Sequence, residues 1–319
     1  MPVNREFSLG RGIEFMNVTR PVGIYSPTIT AFNRDESINE KATRAYVRFL
    51  LDSHVHGLAP MGSAGEFIAL TEKERMQVME WTFDEVNGQV PVYAGTGHYS
   101  TRVTIELSRH ALKCGAKGLM IMPPYLLRPP KDDVLNHFRK IREAVDLPIM
   151  VYNVPILSGV ELSPHDIQTL AEEDVLHAVK WSHPEVARIH DTQFLCGDKV
   201  SVFVGVDLVG FEGLAAGADG YIGGMAMMMP ARLRTVFDTL RRKDGLEDAR
   251  RQWNHLLPLI QFEYRALFSD VGQPHWLAVC REAADLMGIR VGSPRLPLRP
   301  LSRELRNELK QILDKLKKV

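Results

Sequence analysis

Residues 175–185 read VLHAVKWSHPE. Val175, Leu176, Ala178 and Val179 are the small and apolar residues of a buried strand, and Pro184 suits the opening of a following helix. Lys180 stands at the C-terminal end of the run. Taken alone, such a lysine is a strand-end residue that lays its stem on apolar surface and keeps its ammonium in water. The alternative is a lysine placed for chemistry, which requires a parallel sheet whose strand ends converge on one site.

Seven further apolar runs decide between these readings. They are GIYSPTIT (23–30), GLAPMG (57–62), PVYAGTG (91–97), GLMIMPP (118–124), PIMVYNVP (148–155), VSVFVGVD (200–207) and GYIGG (220–224). Stretches with helical spacing lie between them, at 39–53, 71–86, 101–114, 132–144 and 184–196. Eight strand candidates alternating with helices imply a parallel sheet with right-handed crossovers. Eight such units in about 220 residues predict an α/β fold, the (β/α)8 TIM barrel. An open doubly wound sheet is the competitor, but no GxGxxG follows the first strand. Gly-Ala-Lys-Gly (115–118) and Gly-Ala-Asp-Gly (217–220) each sit between a helix and the next strand, as turns on the opposite, N-terminal face. After Pro230 the spacing becomes purely helical, near 230–242, 247–267, 275–287 and 302–317. The expected organisation is an N-terminal extension (1–20), a catalytic barrel (21–243) and a C-terminal helical domain (244–319).

The chain has 39 Lys plus Arg and 39 Asp plus Glu, a formal net charge of zero. No basic excess argues for nucleic acid, and no charge run or long apolar segment argues for a membrane. Three cysteines without CxxC spacing suit a reduced, cytoplasmic protein rather than a disulfide framework or zinc ribbon. The opening residues lack the apolar core of a signal peptide.

In a barrel of this kind chemistry occurs at the C-terminal strand ends. Those ends carry Thr28, GSAGEF (62–67), GTGHY (95–99), PPYLL (123–127), YNVP (152–155), KWS (180–182), GVD (205–207) and GGM (223–225). Lys180 and Tyr152 end adjacent strands, about 4.8 Å apart, so both reach one reacting centre. An amine among apolar walls favours its neutral, nucleophilic form. It can form a Schiff base with a ketone while a neighbouring phenol moves protons. The GSAG turn offers Ser63 and the backbone N–H groups of Ala64 and Gly65 to a carboxylate. Separately, Tyr152 reads as a core tyrosine and GSAG as a plain turn; together they describe covalent binding of a 2-oxo acid.

With these motifs the sequence resembles the dihydrodipicolinate synthase / N-acetylneuraminate lyase family of pyruvate-dependent class I aldolases, over nearly the whole chain. GSAGEF resembles the family's GTTGE or GSTGE loop, YNVP its tyrosine motif, and Lys180 stands where its Schiff-base lysine lies. The resemblance implies a TIM barrel, a homotetramer (dimer of dimers), no cofactor, and pyruvate plus an aldehyde, or the corresponding 2-keto-3-deoxy acid, as substrates. It implies that Lys180, Tyr152 and Ser63 are catalytic. Ile222 would pack near the bound 2-oxo acid, and Gly205 and Asp207 would border the second substrate.

Departures from the family pattern bear on that second substrate. The synthases grip the aldehyde's carboxylate with an arginine where this chain has Leu157, and leucine makes no such pair. Their tyrosine borrowed from a neighbouring subunit aligns with Leu126, next to Tyr125. The lyases' sugar-binding glutamate corresponds to Leu208 and a lyase serine to Gly224; the second loop hydroxyl is replaced by Ala64. Ser158, Ser182, Asp207 and His98 remain to recognise hydroxyls, and Arg128 is placed to compensate for Leu157. The expectation is a neutral or polyhydroxylated aldehyde. Condensation with aspartate semialdehyde, as in 4-hydroxy-tetrahydrodipicolinate synthase, and dehydration of a 2-keto-3-deoxy acid are the alternatives. Two other classes compete. A metal-dependent hydrolase could use His54-x-His56, but that pair precedes its strand and falls on the wrong face. A binding protein without catalysis is disfavoured by retention of both Lys180 and Tyr152.

Overall fold

The computed structural model describes residues 20–268 and 273–317. Apart from Arg20, the expected N-terminal extension lies outside the described residues. Eight parallel strands form one sheet in the order β2-β1-β8-β7-β6-β5-β4-β3. They are β1 (Gly23–Pro27), β2 (Gly57–Ala59), β3 (Tyr93–Gly95), β4 (Gly118–Ile121), β5 (Ile149–Asn153), β6 (Ala178–Trp181), β7 (Ser201–Val204) and β8 (Gly220–Tyr221). A bridge from Leu58 to Val92 joins the two ends of that order and closes the ring. The expected (β/α)8 barrel is the observed fold.

The crossover helices are α1 (Glu40–Asp52), α2 (Glu72–Val86), α3 (Thr101–Lys113), α4 (Lys131–Ala144), a single turn α5 (Pro155–Ser158), α6 (Pro164–Glu172), α7 (Ala187–Cys196), α8 (Gly210–Ala215), a second single turn α9 (Met225–Met228) and α10 (Pro230–Leu240). Their starts follow local chemistry. Asn39 accepts from Ala42 N–H, and Thr71 and Glu74 close a capping box. Two crossovers went unread in the sequence. The start of α6 was available, because Ser163 and Asp166 form a capping box with Pro164 at the first position. At six residues α8 is too short to express a period. The helix expected from 184 begins at Ala187, since Ser182–Glu185 form a turn in which Glu185 N–H donates to His183 Nδ1. The two expected αβ turns are present, with Gly115 and Gly217 at φ +93° and +99°. Past α10 the chain runs through α11 (Leu246–Glu263), α12 (Trp276–Leu286) and α13 (Arg303–Leu316). No helix among the described residues is long and apolar enough to cross a membrane.

Strand alternation divides the core in two. Outward residues such as Ile24, Leu58, Val151, Val179 and Val204 pack against the helices. Inward residues Tyr25, Tyr93, Met120, Met150, Tyr152, Phe203 and Ile222 fill the barrel. Its floor is an aromatic set in which Tyr25 meets Tyr93 and Phe203 edge-on, with ring centroids 5.7 and 5.4 Å away. The strand-opening Gly57, Gly118 and Gly220 make room for it. A Cβ on each would fall 2.3 Å from the ring of Tyr25, Tyr93 and Phe203 respectively. The barrel is therefore plugged below, and access to its interior is from the C-terminal strand ends.

Candidate active site

Register sets the central pair: Tyr152 of β5 lies directly opposite Lys180 of β6, and Lys180 opposite Phe203 of β7. All three point inward. Lys180 is 5 % exposed and Tyr152 8 %, so both are enclosed but open to the mouth. Lys180 Nζ rests 3.8 Å from the centre of the Tyr152 ring. Ser63 Oγ lies 3.4 Å from the Tyr152 hydroxyl. The three expected catalytic residues thus form one contiguous set.

Ser63–Gly65 form one 3-10 turn after β2. Gly65 N–H donates to Gly62 O, which corrects its expected place as a carboxylate donor. The N–H groups that the turn leaves without an internal acceptor belong to Ser63 and Ala64. After the turn, Glu66 takes a left-handed conformation at φ +53° and is 5 % exposed. Arg281 of α12 bonds its Oε1 at 2.7 Å and the backbone N–H of Arg295 its Oε2 at 3.0 Å. Arg281 also holds Thr30 O, while Thr30 Oγ1 holds Gly65 O at 2.7 Å. Burial pushes the Glu66 carboxyl up, against the opposing pull of Arg281. Sequence reading missed Glu66 and Arg281 as a pair; a carboxylate and an arginine 215 residues apart carry no local signal.

Gly205 borders Lys180 itself. A Cβ there would fall 2.3 Å from Ser182 Oγ and 2.8 Å from Lys180 Cε. Ser182 donates to Gly205 O at 3.1 Å, tying the ends of β6 and β7 together. Ile222 is fully buried within the barrel.

Two residues expected to recognise hydroxyls are engaged elsewhere. Asp207 is 1 % exposed. Its carboxyl accepts from Gly224 N–H (3.0 Å), Met225 N–H (2.7 Å), Tyr264 Oη (3.0 Å) and Tyr221 Oη. It therefore fixes the loop after β8 instead of facing a substrate. Ser158, also 1 % exposed, has Val160 O at 2.7 Å and Val154 O at 3.1 Å as acceptors for its one hydroxyl proton and accepts from Val160 N–H. Its hydroxyl closes its own turn. His98 accepts from Ser100 N–H through Nδ1, and burial and the nearby Arg75 lower its pKa.

The remaining departures have physical neighbours. Gly224 abuts Glu263, where a Cβ would lie 2.2 Å from Oε1, so a serine at 224 has no room. Glu263 is buried, its Oε2 has no hydrogen-bond partner among the described residues, and burial beside Asp207 pushes its carboxyl far up. Tyr125 packs edge-on against Phe67 of its own chain at 6.0 Å. Leu126 points outward, 82 % exposed at φ +75°. Arg128 lies along Gly159, with Nε 2.6 Å from the place a Cβ would take. Of the His54-x-His56 pair, His56 accepts from Ile24 N–H and packs on Phe237. Among the described residues no group of three His, Cys, Asp or Glu could hold a metal ion.

Comparison with known proteins gives the family of the chain. The model of the dihydrodipicolinate synthetase family matches residues 20–316. A 4-hydroxy-tetrahydrodipicolinate synthase of Pelobacter propionicus is 36 % identical over 273 residues, covering 86 % of this chain and 91 % of that protein. The enzyme of the same name from Methanopyrus kandleri is 35 % identical over 296 residues, covering 92 % and 96 %. Among solved structures, a pyruvate complex of an E. coli prophage protein of the dihydrodipicolinic acid synthase family superposes with a TM-score of 0.86 at 30 % identity, covering 93 % and 98 %. The dihydrodipicolinate synthase of Aquifex aeolicus superposes at 0.85 with 28 % identity, covering 93 % and 98 %. The chain belongs to the dihydrodipicolinate synthetase family and is an enzyme of the class I aldolase/lyase kind.

Proposed function

We propose that this protein forms a Schiff base between Lys180 and pyruvate, and joins the resulting enamine to an aldehyde or runs the reverse cleavage of a 2-keto-3-deoxy acid. The amine attacks the ketone carbon, an N–C bond forms, and the carbonyl oxygen leaves as water. Loss of a C3 proton gives the enamine, which attacks the aldehyde carbon; the aldehyde oxygen takes up a proton. Hydrolysis of the imine then frees Lys180. Tyr152 is the proton carrier, with Ser63 as the next hydroxyl in line. The N–H groups of Ser63 and Ala64 hold the carboxylate in a water-poor site. Gly205, Ser182 and Ile222 shape the space around the bound 2-oxo acid. Asp207 acts only through the loop it holds.

The observation that carries this reading is the register pairing of Tyr152 with Lys180 at the barrel mouth, with Ser63 Oγ 3.4 Å from the phenol oxygen. Incubation with pyruvate and borohydride tests it. The expected mass gain maps to Lys180 and is absent in Lys180→Ala of unchanged fold. A wild type without the adduct, or a Lys180→Ala variant with pyruvate-dependent turnover, refutes the assignment.

Condensation of pyruvate with aspartate semialdehyde is the second reading, favoured by the names of the curated relatives. Leu157 and Leu126 weigh against it. We also read the protein as cytoplasmic, in keeping with three unpaired cysteines, and as a homotetramer, on the strength of the family resemblance.

A further inference from the structure

We infer that Arg295 is a positioning residue for the carboxylate of the 2-oxo acid. It acts from outside the barrel, through Glu66, on the turn that bears Ser63 and Ala64. The inference rests on the Schiff-base reading of Lys180 and adds a determinant of which ketones that lysine takes.

Arg295 lies in the linker between α12 and α13, far along the chain from the turn it serves. Its guanidinium makes five hydrogen bonds, one for each N–H it carries. Nε and Nη2 donate to Glu36 O at 2.9 and 2.6 Å. Nη1 donates to Ala69 O at 2.7 Å. Nη1 and Nη2 together grip the Glu74 carboxyl at 3.0 and 2.5 Å. Three pieces of chain are thereby joined: the loop between β1 and α1, the single turn Phe67–Ala69, and the start of α2, where Glu74 also closes the capping box with Thr71. The forked bond from Arg295 is the main cause that holds the Glu74 carboxyl down at about 2. The Arg295 side chain is 14 % exposed, and its Cζ lies 4.7 Å from the centre of the Phe32 ring.

A side chain fixed at every donor also fixes its own backbone. The N–H of Arg295 meets Glu66 Oε2 at 3.0 Å, while Arg281 holds Oε1. Arg281 brings the countercharge, and Arg295 settles which way the carboxyl faces. Glu66 then passes the constraint on. Its N–H donates to Ser63 O at 3.0 Å, and its carbonyl accepts from Ala69 N–H at 2.8 Å. Direct contacts thus run from Arg295 to the turn whose N–H groups receive the carboxylate, and none of them involves Lys180. Loosening Arg295 should weaken the hold on the carboxylate and leave the reactivity of the amine in place.

The test compares borohydride trapping of two ketones by the full-length protein. Pyruvate carries the carboxylate; hydroxyacetone keeps the methyl ketone and replaces the carboxylate with a hydroxymethyl group. Trapping rates are taken across ketone concentration, and Tm is recorded for each variant. In Arg295→Met the efficiency with pyruvate is expected to fall about 10- to 100-fold, the scale set by a misplacement of about 1 Å. Saturating pyruvate should restore the wild-type rate, and hydroxyacetone should be trapped as in the wild type. If Arg295→Met does not fold, Glu74→Gln is read in its place. It loosens the same clasp from the other side, keeps the side-chain volume, and should shift the ratio of the two ketones in the same direction. Equal losses with both ketones show a merely structural clamp and overturn the inference. So does an unchanged ratio, whatever happens to Tm. Absence of any pyruvate adduct in the wild type is a different failure, because it removes the Schiff-base reading on which the inference stands.

Discussion

Replacing Arg281 with methionine removes the countercharge of Glu66 while keeping most of the side-chain volume. Arg281 makes hydrogen bonds to Glu66 Oε1, Thr30 O, Val291 O, Gly292 O and Ser293 O, at 2.7–3.2 Å. The side chains of Arg281 and Glu66 are 2 % and 4 % exposed. Burial lowers the Arg281 guanidinium to about 10 and raises the Glu66 carboxyl. For both groups, loss of water outweighs the attraction of the partner. Such a pair adds little as a unit, yet losing one member strands the other, at about 3–5 kcal/mol. Arg281→Met is therefore expected to destabilise by that amount. In Glu66→Gln/Arg281→Met no buried charge is stranded, and the loss should shrink by on the order of 2 kcal/mol relative to the sum of the single changes. The assay is a four-protein cycle of thermal melts at one protein concentration, with KM for pyruvate measured on each. KM should rise most in Arg281→Met, because the turn bearing Ser63 and Ala64 loses its anchor. Additivity within about 0.5 kcal/mol, or an unchanged KM, refutes the coupling.

Tyr152→Phe should slow turnover about 10²–10⁴-fold, the range for losing a positioned acid/base, while a pyruvate adduct can still be trapped; unchanged turnover assigns proton transfer elsewhere. Gly205→Ala drives a methyl into Lys180 and Ser182 and should slow imine formation by about 10²-fold, read by single-turnover trapping; a normal trapping rate means that Lys180 does not occupy the observed position during reaction. Glu263→Gln should help stability more as pH rises. The raised carboxyl stays protonated in the fold while the unfolded chain ionises above about pH 4.3, so the wild type loses about 1 kcal/mol per pH unit from there up to the folded pKa. A difference in Tm between the Glu263→Gln variant and wild type that stays flat from about pH 5 to 8 excludes the buried, protonated form.

Strand ends and the central pair were legible because barrel chemistry is one-dimensional in part. Alternating apolar runs locate each strand, and the last inward residue of each run faces the mouth, which was enough to find Lys180 and Tyr152. Loop geometry was not legible. Asp207 follows β7 as a substrate-binding residue would, and only the fold reveals Tyr221, Tyr264 and the β8 loop drawing it inward. The same holds for Gly65, whose N–H is committed by a single 3-10 turn that composition does not announce. Glu263 was invisible for a further reason: a glutamate late in an amphipathic helix normally faces water, and its burial comes from the packing of α11 and α12 against the loop after β8.

The bond from Arg281 to Glu66 also imposes an order on how the protein comes into being. During synthesis the strands are complete once Tyr221 has been made, and Ser63, Tyr152 and Lys180 all precede it. Arg281 follows only later, roughly 3–12 s on at 5–20 residues per second. Until then Glu66 lacks its bonds to Arg281 and to Arg295 N–H, both of which come later in the chain. On the proposed function, the nascent barrel thus carries Lys180 before the turn bearing Ser63 and Ala64 gains its anchor, and catalytic competence would arrive with α12.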